Sequence, residues 1–218
     1  MNETFADFLT KIDIDVTQEF RQVDGNIKTF GQTQMENFGV FGEYLNDTIP
    51  GSFAIAPKKL LELVTLSPDG KFNLDGSLLS FGNEALNLQF RLEAVGIDEH
   101  SPKAKYEVPP IILTRDITAR ILKMQSVLDS EKVVITVDKG KASINIVGVI
   151  EGSKGAVVVP YPTDASFKIG FGKSFYNLIS RVKNDDGLKV YLEEKKPLQV
   201  DLETSFYKIR YILIPQKA

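Results

Sequence analysis

The sequence of 218 residues contains no cysteine, which excludes disulfide staples and thiolate metal sites. It has one histidine, His100, in a polar stretch rich in charge and proline. Zinc sites built from several Cys or His ligands are excluded with it. No apolar run approaches the roughly 20 residues that span a bilayer. The opening MNETFADFLTKIDID lacks the basic start and apolar core of a secretory signal. Asn2-Glu3-Thr4 and Asn46-Asp47-Thr48 match the glycosylation sequon, but without a secretory context they carry no weight. The expectation is a soluble, cytoplasmic protein with no membrane partner.

Catalytic groupings are equally scarce. Gly172-Lys173-Ser174 follows a strand pattern and opens a helix, the setting of a phosphate loop. That motif needs glycine five residues before its second glycine, and position 167 is Phe. The acid pairs Asp185-Asp186 and Glu193-Glu194 fall in turns or at strand edges and read as solvated surface. No nucleophile–base pair stands out, so neither an enzyme nor a cofactor is expected.

What the chain does have is a repeat. Ser52-Phe53-Ala54-Ile55 recurs as Ser166-Phe167-Lys168-Ile169, and Val23-Asp24 as Val137-Asp138. Gly25 finds Gly140, Lys59 finds Lys173, and Phe5, Leu9, Ile12 find Ile117, Ile121, Met124. A unit of about 110 residues has the size of a small domain, far above the period of a solenoid. Two duplicated domains are expected, over 1–100 and 111–218, joined by a linker at 101–110 within the polar stretch IDEHSPKAKYEVPP.

Each half carries the same order of elements. In the first, Phe5, Phe8, Leu9 and Ile12 keep helical spacing, and strands are expected near 16–23, 26–34 and 37–45. Asp24-Gly25 is a hairpin turn signal. A short strand then leads to a helix opened by Pro57, and three more strands follow, the last at 86–95. In the second, Thr114 is an N-cap candidate for a helix through Asp129. Strands are expected at 132–138, 142–149, 155–159 and 166–170, then a helix KSFYNLISRVKN, then strands at 188–193, 197–203 and 206–214. Helices do not alternate regularly with strands, so the class is α+β rather than parallel α/β.

The net charge of −3 conceals an asymmetry. Residues 1–107 hold 9 Lys/Arg against 17 Asp/Glu, and residues 108–218 hold 17 against 12. The outward faces of the second half's helices are basic and poor in acid. One carries Arg115, Arg120 and Lys123, the other Lys173, Asn177, Ser180, Arg181 and Asn184. Such faces suit phosphate contacts that read no sequence.

Pro197-Leu198-Gln199-Val200-Asp201, followed by Ile209-Arg210-Tyr211-Ile212-Leu213-Ile214-Pro215, resembles the closing strand pair of the DNA sliding clamps. That family includes proliferating-cell nuclear antigen, archaeal clamps and the processivity factors of T4-like phages. In it, a P-L-x-[VL]-[DE] strand precedes a Φ-[KR]-Y-x-L-x-P ending. The duplicated unit fits the family's fold along the whole chain, and the length is closer to the phage members, which suggests a viral origin.

The resemblance implies a homotrimer whose six domains close a ring around duplex DNA, tethering a DNA polymerase after loading by a clamp-loader ATPase. DNA-facing candidates are Arg115, Arg120, Lys123, Lys173, Arg181 and Lys183, with Lys11, Lys58 and Lys59 in the first half. There Glu3, Asp7 and Glu62 break the basic pattern. Subunit contacts fall on the edge strands, through Leu88, Phe90 and Leu92 in one and Val157 and Val159 in the other. A partner-peptide pocket falls at Val108, Pro110, Ile212 and Pro215. Two other readings remain: a monomeric DNA-binding polymerase accessory protein, and a non-enzymatic viral structural or assembly protein.

Overall fold

The computed structural model describes residues 3–33, 38–45, 47, 49–92 and 105–216. His100, both sequons' asparagines, residue 34 of the expected second strand, residue 37 of the third, residues 93–95 of the seventh and residues 101–104 of the linker lie outside them. Contacts divide the chain into two compact units. Unit 1 holds residues 1–34, 39–101 and 203–210, and unit 2 holds 35–38, 102–202 and 211–218.

Unit 1 opens with α1 (Glu3–Ile12), whose Phe5, Phe8, Leu9 and Ile12 are all buried. Three antiparallel strands follow: β1 (Gln18–Val23), β2 (Asn26–Thr33) and β3 (Phe38–Tyr44). The β1–β2 turn places Asp24 and Gly25 both at positive φ, 50° and 78°. That conformation matches hairpin twist and favours an Asp-Gly pair. β4 (Phe53–Ile55) pairs with β1 and leads into α2 (Pro57–Leu66), with Pro57 at the first helical turn. The strands β5 (Lys71–Asp75), β6 (Leu78–Gly82) and β7 (Asn87–Arg91) form a separate sheet with β7 at its edge.

Unit 2 repeats this plan after β8 (Ile111–Leu113), a strand that the sequence pattern did not suggest. Three residues between Pro110 and the helix cap are too few to show a period. α3 (Arg115–Leu128) starts as expected, with the Thr114 side chain accepting the N–H of Ile117 at 3.4 Å. The strands β9 (Lys132–Asp138), β10 (Lys141–Val147), β11 (Lys154–Pro160) and β12 (Ser166–Phe171) make a sheet of order β11-β10-β9-β12. Unit 1 has the matching run β3-β2-β1-β4. The β9–β10 turn again sets two residues at positive φ, Lys139 and Gly140.

α4 (Lys173–Arg181) is shorter than its sequence pattern. The backbone leaves the helix at Val182, and the Asp185 N–H bonds back to the Val182 carbonyl. Lys183, Asn184, Asp185, Asp186 and Gly187 favour a turn over another helical turn. β13 (Leu188–Tyr191), β14 (Leu198–Glu203) and β15 (Tyr207–Leu213) complete the chain, and β13 pairs with β8. The first half of β15 falls in unit 1, where the Leu45 N–H donates to the Phe206 carbonyl.

Two glycines show the duplication most directly. A Cβ on Gly42 of β3 would stand 2.8 Å from the Phe8 ring of α1. A Cβ on Gly155 of β11 would stand 2.8 Å from the Met124 sulfur of α3. In each unit the first helix presses on the third strand after it, at a position with no side chain. Neither glycine has a positive φ, so close packing explains both.

Candidate nucleic-acid interface

In unit 2 the helices α3 and α4 pack together, and each buries one stripe. Ile121 and Thr118 on α3, and Phe175, Leu178 and Ile179 on α4, are the buried side. The outward side of α3 exposes Asp116, Ala119, Arg120, Lys123, Ser126 and Val127. Asp116 sits in the first turn, where a carboxylate is favoured by the helix dipole. Arg120, Lys123 and Lys173 are exposed, and among the described residues none of them forms an ion pair. Arg120 and Lys123 also line a groove with Met124, Ala156, Val157 and Val158, on the flank of α3 that faces β11.

Three further cations are placed differently from the sequence expectation. The Arg115 guanidinium donates to the Asn184 carbonyl at 2.6 Å, and the Arg115 backbone N–H donates to Asp186 at 2.7 Å. Its charge therefore fastens the start of α3 to the turn after α4. Arg181 is half-buried, with its Nε enclosed and without a hydrogen-bond partner among the described residues. Lys183 is exposed but lies in the turn beyond α4 rather than on it.

Unit 1 treats its lysines otherwise. Lys11 is turned inward: its side chain is 8% exposed, and its ammonium pairs with Asp7 at 2.7 Å. The other Asp7 oxygen accepts from the Tyr207 hydroxyl. The clamp resemblance implies a DNA-facing Lys11, and this burial takes its ammonium away from the outward face. Lys59 lies with its ammonium 4.8 Å from the centre of the Phe90 ring on β7, a cation–π contact. Lys58 is exposed, but so are Glu3, Asp7 and Glu62.

The edge-strand candidates split by face. On β7, Leu88 and Phe90 are half-buried between exposed neighbours, and Leu92 just beyond is half-buried too. On β11, Val159 is buried and Val157 half-buried, paired with Ala142 and Ile144 of β10. Both strands end the order of their sheets. Pro160 is the last paired residue of β11, where a missing N–H is tolerated at an edge. Val158 points to the other face and is 60% exposed.

For the pocket candidates, Val108 and Pro110 are half-buried and precede β8, while Ile212 is buried on β15 and Pro215 half-buried beyond it. The unit 2 strands run β15-β14-β13-β8, so the two pairs flank a span of about 14 Å at ordinary strand spacing. Ile214, between Ile212 and Pro215, is the exposed apolar side chain there. Strand alternation at the end of β15 was the signal for it.

A duplicated α+β unit, each copy with two helices and the strand run described above, is the fold of the sliding clamps. The solved structure of proliferating cellular nuclear antigen from Entamoeba histolytica matches it with a TM-score of 0.72 over 98% of this chain and 94% of that one. The two sequences are 14% identical. No protein-family model matches the sequence, and no curated protein does. None of the helices among the described residues is long and apolar enough to cross a membrane.

Proposed function

We propose that this protein is a DNA sliding clamp: a processivity factor that encircles duplex DNA and tethers a replicative polymerase to its template. The observation that carries the reading is the α3–α4 face on a clamp fold, with exposed Arg120, Lys123 and Lys173 and no acid paired to them. Such a face attracts phosphate without reading bases. A clamp needs little more, because its grip is topological and strong contacts would resist sliding. The net charge of −3 limits adhesion to DNA elsewhere on the surface.

In this reading the duplicated domains, 1–100 and 111–218, join through the linker 101–110. Three chains close a ring by pairing the β7 edge of one with the β11 edge of the next. Leu88, Phe90 and Leu92 meet Val157 and Val159 across that seam, and closure covers edges that would otherwise invite aggregation. Arg120 and Lys123 then lie beside the seam, with Lys173, Lys183 and Lys58 completing the DNA-facing set. The polymerase docks a peptide at Val108, Pro110, Ile212 and Pro215, and tethering raises its effective concentration at the template. A clamp-loader ATPase opens the ring. The work asks for no bond chemistry, and the length suggests a phage source.

The test is native mass by light scattering across a dilution series, then retention on circular against linearised DNA. Three chains of 24.3 kDa give about 73 kDa. A trimer that is retained on circular DNA once a clamp-loader ATPase has loaded it, and is released when the circle is linearised, is the expected result. A monomer at every concentration, binding linear and circular DNA alike, would replace this reading with a monomeric accessory factor held by the basic face of unit 2.

A further inference from the structure

The described end of the linker, residues 105–108, is fastened within unit 2 to the turn between β13 and β14. One carboxylate is central to this. A single oxygen of Glu193 accepts the backbone N–H groups of both Glu107 and Val108, the latter at 3.3 Å. The other oxygen pairs with the Lys196 ammonium. That ammonium also donates to the Lys105 carbonyl and lies 5.5 Å from the centre of the Tyr106 ring. The Tyr106 hydroxyl donates to the Pro197 carbonyl at 2.6 Å, and its ring packs 5.5 Å from Tyr191.

An ordinary ion pair three residues apart on a turn contributes little. Here the carboxylate joins segments about 86 positions apart in sequence. Successive backbone N–H groups aimed at one point make an anion-binding concavity, and a cation closes its other side. Burial raises the affinity of Glu193 for a proton, but the Lys196 ammonium and the two N–H groups outweigh it and hold the carboxyl below its ordinary range. The anionic form is the one the surroundings select.

We propose that the N–H groups of Glu107 and Val108, together with the Lys196 ammonium, form a carboxylate-binding site filled by the chain's own Glu193, and that filling it latches the linker to the β13–β14 turn. The ligand class is a carboxylate. The latch is internal to unit 2 and does not depend on the DNA reading. With the site empty, Lys196 loses the carboxylate that orders it, its hold on the Lys105 carbonyl loosens, and the Lys105–Tyr106 bond becomes open to proteases that need local unfolding.

The experiment follows trypsin cleavage at Lys105–Tyr106 by mass in the full chain, for wild type, Glu193→Ala and Glu193→Gln, with tyrosine near-UV circular dichroism to check folding. Glu193→Ala is expected to speed that cut on the order of tenfold. Sodium acetate is expected to slow it again by refilling the site, while sodium chloride at equal ionic strength is not. Glu193→Gln keeps an acceptor for the N–H groups but loses the ammonium, and falls between. Wild-type cleavage rates in both variants would overturn the latch. Faster cleavage in a folded Glu193→Ala that acetate leaves unchanged would overturn the carboxylate site. If Glu193→Ala unfolds, Glu193→Gln decides, since a wild-type rate in that variant overturns the charge pairing.

Discussion

The two helix pairs of this protein share a fold and differ in what becomes of their cations. In unit 1, Lys11 is buried against Asp7, and Lys59 is drawn over Phe90. On the helices of unit 2, Arg120, Lys123 and Lys173 stand in solvent, Arg181 is half-buried, and Arg115 is committed to a structural bond. Duplication conserved the backbone plan, down to the glycines under α1 and α3, while the electrostatics diverged. A lysine's position on a helical wheel does not establish what it faces. The neighbouring acid or ring decides that, because a long flexible stem lets the charged end follow its partner.

The strongest way to break this comparison is charge reversal. Arg120→Glu, Lys123→Glu and Lys173→Glu together are expected to weaken DNA binding at least about thirtyfold at low salt. They should also make the salt slope shallower by up to about 3, near 0.9 per lost phosphate contact. Lys58→Glu with Lys59→Glu should change affinity less than about threefold. Fluorescence anisotropy with duplex DNA across a salt series measures both, and equal losses from the two sets would end the asymmetry.

Stability should separate the units next. Asp7→Ala removes the partner of a buried ammonium and of the Tyr207 hydroxyl, and is expected to cost about 2 kcal/mol in urea unfolding. Asp116→Ala, on the exposed face of α3, should stay within about 0.5 kcal/mol.

A smaller effect belongs to unit 2 and alkaline pH. Burial, and secondarily the charge of Glu193, pushes the Tyr161 hydroxyl, which donates to the Leu192 carbonyl, up to about 12. The neutral form is favoured in the fold, so its contribution is complete below the unfolded value of 10.0 and is lost as pH rises toward about 12. Tyr161→Phe should flatten that part of a melting-temperature profile.

The smallest effect concerns the latch at acid pH. The Glu193 carboxyl is held below its ordinary value of 4.5. Its contribution is therefore present above that value and fades as pH falls through the lowered one. The charged groups around it are Lys196 on its own turn, the linker's Lys105 and Glu107, and Tyr161, which is neutral at that pH. Hydrogen exchange at the Glu107 and Val108 amides, corrected for intrinsic rates, should lose protection there, and Glu193→Gln should show no such step.

Local pattern carried much of this architecture. Phe5, Phe8, Leu9 and Ile12 marked α1, Thr114 capped α3 as read, and Asp24-Gly25 made its turn. These signals lie within a few residues of what they specify. β8 escaped because three residues show no period, and the last turn of α4 was overread because Val182 continues an apolar stripe that the backbone abandons. The candidate site was legible only as a set of residue types on outward faces.

By itself, the sequence determined the α+β class, the duplication, the absence of thiol chemistry and the excess of positive charge in the second half. Composition and short-range periodicity are properties of the chain alone. Tertiary structure decided which of those charges remain available. Lys11 met Asp7, Lys59 met Phe90, and Glu193 met the N–H groups of Glu107 and Val108. Each fate depends on a partner brought near by a helical turn or by packing between distant segments. A charge is stabilised by what lies within a few ångströms of it, and sequence spacing does not specify that distance.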